Sequence, residues 1–151
     1  MGRFSFRKKK PLYPGKVTVS VEISAGEEMT GYLHLLMEKG SRSRIKILQS
    51  EAYVLGGEIG DLKVPLKGDR EDMEHGYLDG FTDQYKCAGY GTVDEPESYE
   101  PFWFRTFRFI RLEIITQEEP LILQKFDYPC SISSLSPFKG TFRSPISPPS
   151  T

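Results

Sequence analysis

The side chains that could do chemistry in this 151-residue chain are scattered. The two histidines, His34 and His75, stand far apart, and neither belongs to a His-x-x-x-His spacing. Cys87 and Cys130 form no Cys-x-x-Cys pair, so neither a transition metal nor a cofactor is expected. The run Gly68-Asp69-Arg70-Glu71-Asp72 clusters carboxylates, the ligands calcium prefers. It lacks the one-three-five ligand order and the distal Glu, so a solvated acidic loop is the expectation. No Gly-x-Ser-x-Gly is present, and sequence alone pairs no Ser, His and Asp. Glycoside cleavage needs two carboxylates at a set separation, but 21 acids offer many pairs and single out none. No catalytic residue is assigned.

Aromatic and arginine side chains are the remaining candidates. Tyr77, Tyr90, Tyr99 and Trp103 flank the acidic segments, and sugars stack their C–H faces on such rings. The carbohydrate-binding set is therefore Tyr90, Tyr99 and Trp103. For Trp103 the neighbourhood favours a core position instead, because four of the ten Phe lie within a few residues. Arg105, Arg108 and Arg111 are expected to pair with the acidic loops, since a buried guanidinium needs a partner.

These residues hang on one stretch, Glu97 to Ile115, rich in β-branched and aromatic residues and free of Gly and Pro after Pro101. It reads as one long strand. Ile110, Leu112 and Ile114 share a face, with Arg111 and Glu113 opposite. Its first half is bulky on both sides, which implies cover on both faces. Val17, Val19, Val21 and Ile23 mark an earlier strand, closed by a turn at Ala25–Glu28. Further strands are expected over 29–38 and 44–54, the three forming an antiparallel meander, with a Gly40–Ser43 loop between the last two. Residues 55–80 read as a long acidic excursion. Strands at 81–88 and 121–128 complete an all-β, antiparallel β-sandwich without helices. Residues 1–16 form a basic lead-in, 17–130 the sandwich, and 131–151 a disordered tail rich in Ser and Pro.

Composition narrows the partners. A net charge of −1 gives no case for nucleic acid or an anionic membrane. No apolar run approaches the roughly 20 residues that span a bilayer. The basic cluster Arg3–Lys10 is not followed by the apolar core of a secretory signal, and the sequence assigns no compartment. Two cysteines are too few for a disulfide framework, though a Cys87–Cys130 bridge stays open alongside free thiols.

Four segments, in order, resemble the α-L-rhamnosidase-type glycoside hydrolases. Glu97 to Ile115, Glu-Ser-Tyr-Glu-Pro-Phe-Trp-Phe-Arg-Thr-Phe-Arg-Phe-Ile-Arg-Leu-Glu-Ile-Ile, is similar to the family's acidic-aromatic-Glu-Pro run followed by its Arg-x-Phe-Arg strand. Gly31-Tyr32-Leu33-His34-Leu35 and Ile47 to Tyr53 resemble two of its strands. Lys67 to Asp72 with Asp83 to Gly89 resemble the loop and strand after them. The resemblance, over about residues 17–128, implies a concanavalin-like (jelly-roll) sandwich that is an accessory to a separate (α/α)6 catalytic barrel. It implies a non-catalytic or truncated module, inactive alone, which docks to that barrel or self-associates through an exposed sheet face. The alternative is a stand-alone carbohydrate-binding module for rhamnose-containing glycans.

Overall fold

The computed structural model describes residues 2–4, 10–59, 61–66, 68–128 and 141–143; these form strands, with no helix among them. In chain order they are β1 (Gly2–Phe4), β2 (Leu12–Tyr13), β3 (Thr18–Gly31), β4 (His34–Lys39), β5 (Arg44–Ser50), β6 (Tyr53–Ile59) and β7 (Leu62–Leu66). Then come β8 (Tyr77–Leu78), β9 (Phe81–Lys86), β10 (Glu97–Tyr99), β11 (Arg105–Ile115), β12 (Leu121–Tyr128) and β13 (Thr141–Arg143). One sheet runs β1-β12-β4-β10, with β2 also on β12; a second runs β13-β3-β11-β5-β9; a small third runs β7-β6-β8. Every pairing is antiparallel.

The first two sheets close on a shared core. Val21, Ile23, Ile45, Ile47, Leu112 and Ile114 come from one side, and Leu35, Met37, Leu121, Leu123 and Phe126 from the other. Phe107 meets Tyr128 edge-on across the gap at 5.1 Å, and the Cys87 thiol lies 3.7 Å from Met37 Sδ. The protein is thus an all-β antiparallel sandwich. Cys87 is a free, buried thiol, and Cys130 lies outside the described residues.

The expected long strand is two strands. β10 ends at Tyr99 in the first sheet, and β11 begins at Arg105 in the second, so residues 100–104 cross between sheets. Phe102, Trp103 and Phe104 in that crossing are exposed, so the cover expected on both faces is missing at the start of this stretch. The expected strand over 29–38 is likewise the end of β3 plus β4, with Tyr32 and Leu33 crossing. Residues bulky on alternate sides suit a chain that changes sheet as well as one sandwiched within a sheet. The 44–54 strand breaks at Glu51–Ala52 into β5 and β6. The meander is also corrected. β3 and β5 both pair with β11, whereas β4 lies between β12 and β10, because successive strands cross from sheet to sheet. Gly40 has the positive φ (74°) expected of it, and a Cβ there would stand 2.4 Å from Leu121 Cδ1.

The turn expected at Ala25–Glu28 lies inside β3. Phe107 pairs with Met29 but Phe109 pairs with Ser24, so residues 25–28 bulge opposite Arg108, with Gly26 at φ 80°. The bulge reverses the facing of β11. Phe107 and Ile110 enter the main core, while Phe109 joins an outer cluster with Tyr53 and Leu78. That cluster lies under the 55–80 segment, which is not an open loop: β6, β7 and β8 pair within it. β9 and β12 lie where the sequence puts strands, and Ile110, Leu112 and Ile114 share the core face. Residues 1 and 5–9 of the basic lead-in, and all of the Ser/Pro tail except Thr141–Arg143, lie outside the described residues. Within them, β1 and β2 pair with β12, and β13 pairs with β3.

Candidate functional site

The site forms where the chain crosses from β10 to β11. Glu97 fixes the near end. Its buried carboxylate (0% exposed) accepts hydrogen bonds from the Tyr85 hydroxyl (2.6 Å) and the backbone N–H groups of Ala88 (2.8 Å) and Gly89 (2.9 Å). Beyond Pro101 the three aromatics leave the core. Trp103 is 66% exposed and stacks on Phe104, with centroids 5.6 Å apart. Phe104 meets Tyr32 edge-on at 6.1 Å, so the two sheet crossings stand side by side. The core position favoured for Trp103 is therefore corrected: the Phe neighbours that matter in sequence are themselves split between core and tip.

Beside this tip is a cleft of about 430 Å³. Gln49 and Ser50 at the end of β5, Gly80 and Phe81 at the start of β9, and Trp103 and Arg105 all line it. Arg105 is held rigidly: Nη2 donates to Asp83 Oδ1 at 3.0 Å, and the guanidinium lies 4.5 Å from the Phe81 ring centroid. The Ser50 hydroxyl lies 2.7 Å from the Asp79 carbonyl oxygen and ties the β5 corner to the rim. Gly80 permits the close approach of β9, since a Cβ there would stand 2.0 Å from the Gln49 carbonyl oxygen. Gln49 follows Ile45 and Ile47 at the same two-residue period and is 2% exposed. Neither of its amide atoms has a hydrogen-bond partner among the described residues, nor have Arg105 Nε and Asp83 Oδ2.

Of the three sequence candidates, Trp103 alone lines this cleft. Tyr99 is half-buried and stacks on Tyr85 at 4.5 Å. Burial pushes the Tyr99 hydroxyl up, Asp83 adds to the rise and Arg105 opposes it. Tyr90 is exposed elsewhere on the surface. Gln49 and Phe81 went unread as site residues. The signal for Gln49 was present: one amide at an inward position in an otherwise apolar series.

The other arginines follow the pairing rule with different partners than expected. Arg108 pairs with Glu71 of the acidic segment, as anticipated, but Arg105 and Arg111 pair with strand residues Asp83 and Glu22. Arg111 Nε donates to Glu22 Oε1 at 2.9 Å, and the Tyr53 hydroxyl donates to the same carboxylate. In the acidic segment, Asp69 and Asp72 accept backbone N–H bonds from Glu71 and from Glu74 and His75. The His75 amide leads in holding the Asp72 carboxyl below its ordinary range. These carboxylates act as turn caps.

The structure does bring a Ser, a His and an Asp together. Ser98 Oγ lies 2.9 Å from His34 Nε2, and His34 Nδ1 lies 3.4 Å from Asp127 Oδ1. Asp127 Oδ1 makes no hydrogen bond among the described residues, and Asp127 Oδ2 pairs with Lys125 Nζ at 3.1 Å. The three side chains stand on adjacent strands, β10, β4 and β12. Sheet amides lie in the plane of the strands, so none points up to hold an oxyanion above Ser98. This is a cross-strand polar row.

Comparison of the chain with known protein families, with curated proteins and with solved structures finds no match.

Proposed function

We propose that the chain is a non-catalytic, concanavalin-like accessory domain of an α-L-rhamnosidase-type glycoside hydrolase, which docks to the catalytic (α/α)6 domain. The exposed tip carries this reading. Phe102 is fully exposed, and Trp103, Phe104 and Phe81 are exposed around it. Contiguous apolar surface of this kind marks an interaction site. Burying each ring against a partner is worth about 2 kcal/mol. The four sequence segments that resemble the family supply the identity of the partner. They fall on β3 and β4, on β5 and β6, on the segment from 67 to 89, and on β10 and β11 with the crossing between.

The test is sedimentation of the chain with a separately produced (α/α)6 rhamnosidase barrel. A complex is expected, weakened at least tenfold by Phe102→Ser, and no association at roughly 0.1 mM would sink the reading. Without the barrel, the tip is expected to drive self-association at high concentration, and a clean monomer there would remove that corollary.

A second reading, a carbohydrate-binding module, is favoured by the exposed rings of Trp103 and Phe81, which line the cleft. In either reading the chain breaks no glycosidic bond by itself.

A further inference from the structure

From the outer edge of β3 we infer a docking site for an extended, proline-free peptide of a partner protein, which adds to the sheet as an antiparallel strand and displaces β13. The inference lies away from the aromatic tip and stands apart from both readings above.

One edge of β3 pairs with β11 from Thr18 to Gly31, interrupted only by the bulge at 25–28. The other edge has β13 alone against it among the described residues, at Ser24, Ile23 and Glu22. Thr18–Val21 therefore present a row of backbone groups with no strand beside it among the described residues. Natural sheets blunt such edges with short strands, bulges, charges or prolines. The other outer strands here do so: β1, β8 and β10 are very short, β7 carries Pro65, and β9 carries Asp83 and Lys86. Over Thr18–Ser24, β3 uses none of these devices. Its sequence Thr-Val-Ser-Val-Glu-Ile-Ser has no Pro or Lys, and its bulge comes only afterwards. Its one charge, Glu22, is already paired with Arg111. Such an edge is a template for strand addition.

β13 shows what the edge accepts and why it is covered only in part. Arg143 stands in register with Glu22, and the sequence continues with Pro145, Pro148 and Pro149. Proline has no amide to donate, so the tail is poorly suited to continue the ladder along Val21 to Thr18. A peptide without proline can run the whole of Thr18–Ser24, and the added main-chain bonds let it displace β13. The tail of a second copy carries the same prolines and lacks the covalent tether between Tyr128 and Thr141, so it has no advantage over the chain's own strand. The partner's residue opposite Glu22 is basic or neutral, since like charges directly opposite repel, and β-branched residues suit the places opposite Val19 and Val21.

The test uses the full chain and a fluorescein-labelled peptide, Thr-Phe-Arg-Val-Thr-Val-Thr. Its first three residues repeat β13, and the rest run opposite Val21 to Thr18. Phe142→Pro/Arg143→Pro removes an amide from β13 in either phase of the ladder and opens the edge. By fluorescence anisotropy the peptide is expected to bind this variant in the micromolar range, and the wild type at least tenfold more weakly because β13 competes. Hydrogen exchange gives a second readout in the wild type, which needs no substitution. The Thr18–Val21 amides that face away from β11 are expected to exchange freely, and to gain protection at saturating peptide. The same peptide with Pro at its fourth and fifth positions is expected to bind at least tenfold more weakly. Equal affinity for variant and wild type, equal binding of the proline peptide, or protection appearing only outside β3 overturns the assignment. So does the absence of binding to either protein at roughly 1 mM peptide. A dimer of the variant whose Thr18–Val21 amides are protected without peptide gives the edge to a second copy, which also overturns it.

Discussion

At the scale of single residues, the buried polar groups divide into the satisfied and the unsatisfied. Glu97 belongs to the first kind, with three donors on its carboxylate. Removing it leaves the Tyr85 hydroxyl and two backbone amides without their acceptor. Glu97→Ala is expected to cost about 3 kcal/mol in a urea titration, and a change under 1 kcal/mol would contradict its role as a clamp. Cys87 next to it is governed by the same burial. Desolvation, with Glu97 adding repulsion, pushes the thiol from 9.0 up to about 12. The folded state therefore keeps the thiol neutral where the unfolded chain ionises it. The resulting stability is intact below about pH 9 and is lost as pH rises from there toward 12. In a Cys130→Ser variant, Cys87 is expected to resist thiol reagents at pH 8 until the protein unfolds. Rapid modification of the native form would refute this.

At the scale of elements, alternation was legible and crossings were not. Val21 and Ile23 on β3, and Ile110, Leu112 and Ile114 on β11, follow a two-residue period with one buried face, and the sequence reads them correctly. Residues 29–38 and 97–104 are bulky on both sides, a pattern shared by a covered strand and a chain changing sheets. Only long-range pairing separates those cases. The bulge at 25–28 needed β11 to define it, and local sequence sees only Gly26 and two Glu. The small sheet over β6, β7 and β8 was hidden by its glycines. The site was half legible for the same reason: Trp103 stands out by type, but Gln49 matters only once Phe81 and Arg105 are brought beside it. Gly80 is the element-level hinge of that meeting, since its missing Cβ admits the Gln49 carbonyl. Gly80→Ala is expected to cost about 2–3 kcal/mol, measured by thermal melting. An unchanged melting temperature would mean that β9 enters the sheet without this close approach.

At the scale of the whole molecule, the partners of the early strands come late in the chain. β3 and β5 pair with β11, and β4 pairs with β12, across separations of some 60 to 97 residues. While residues up to Tyr99 are emerging from the ribosome, β3 has no neighbour on its β11 side, and β4 lacks β12. The nascent chain then exposes both unpaired backbone edges and the apolar faces meant for the core, which is the state most prone to aggregate. The last strands of the sandwich thus close it all at once. Slow synthesis of the second half would prolong the vulnerable interval, and a holding chaperone would be of most use to the chain just before β11 appears.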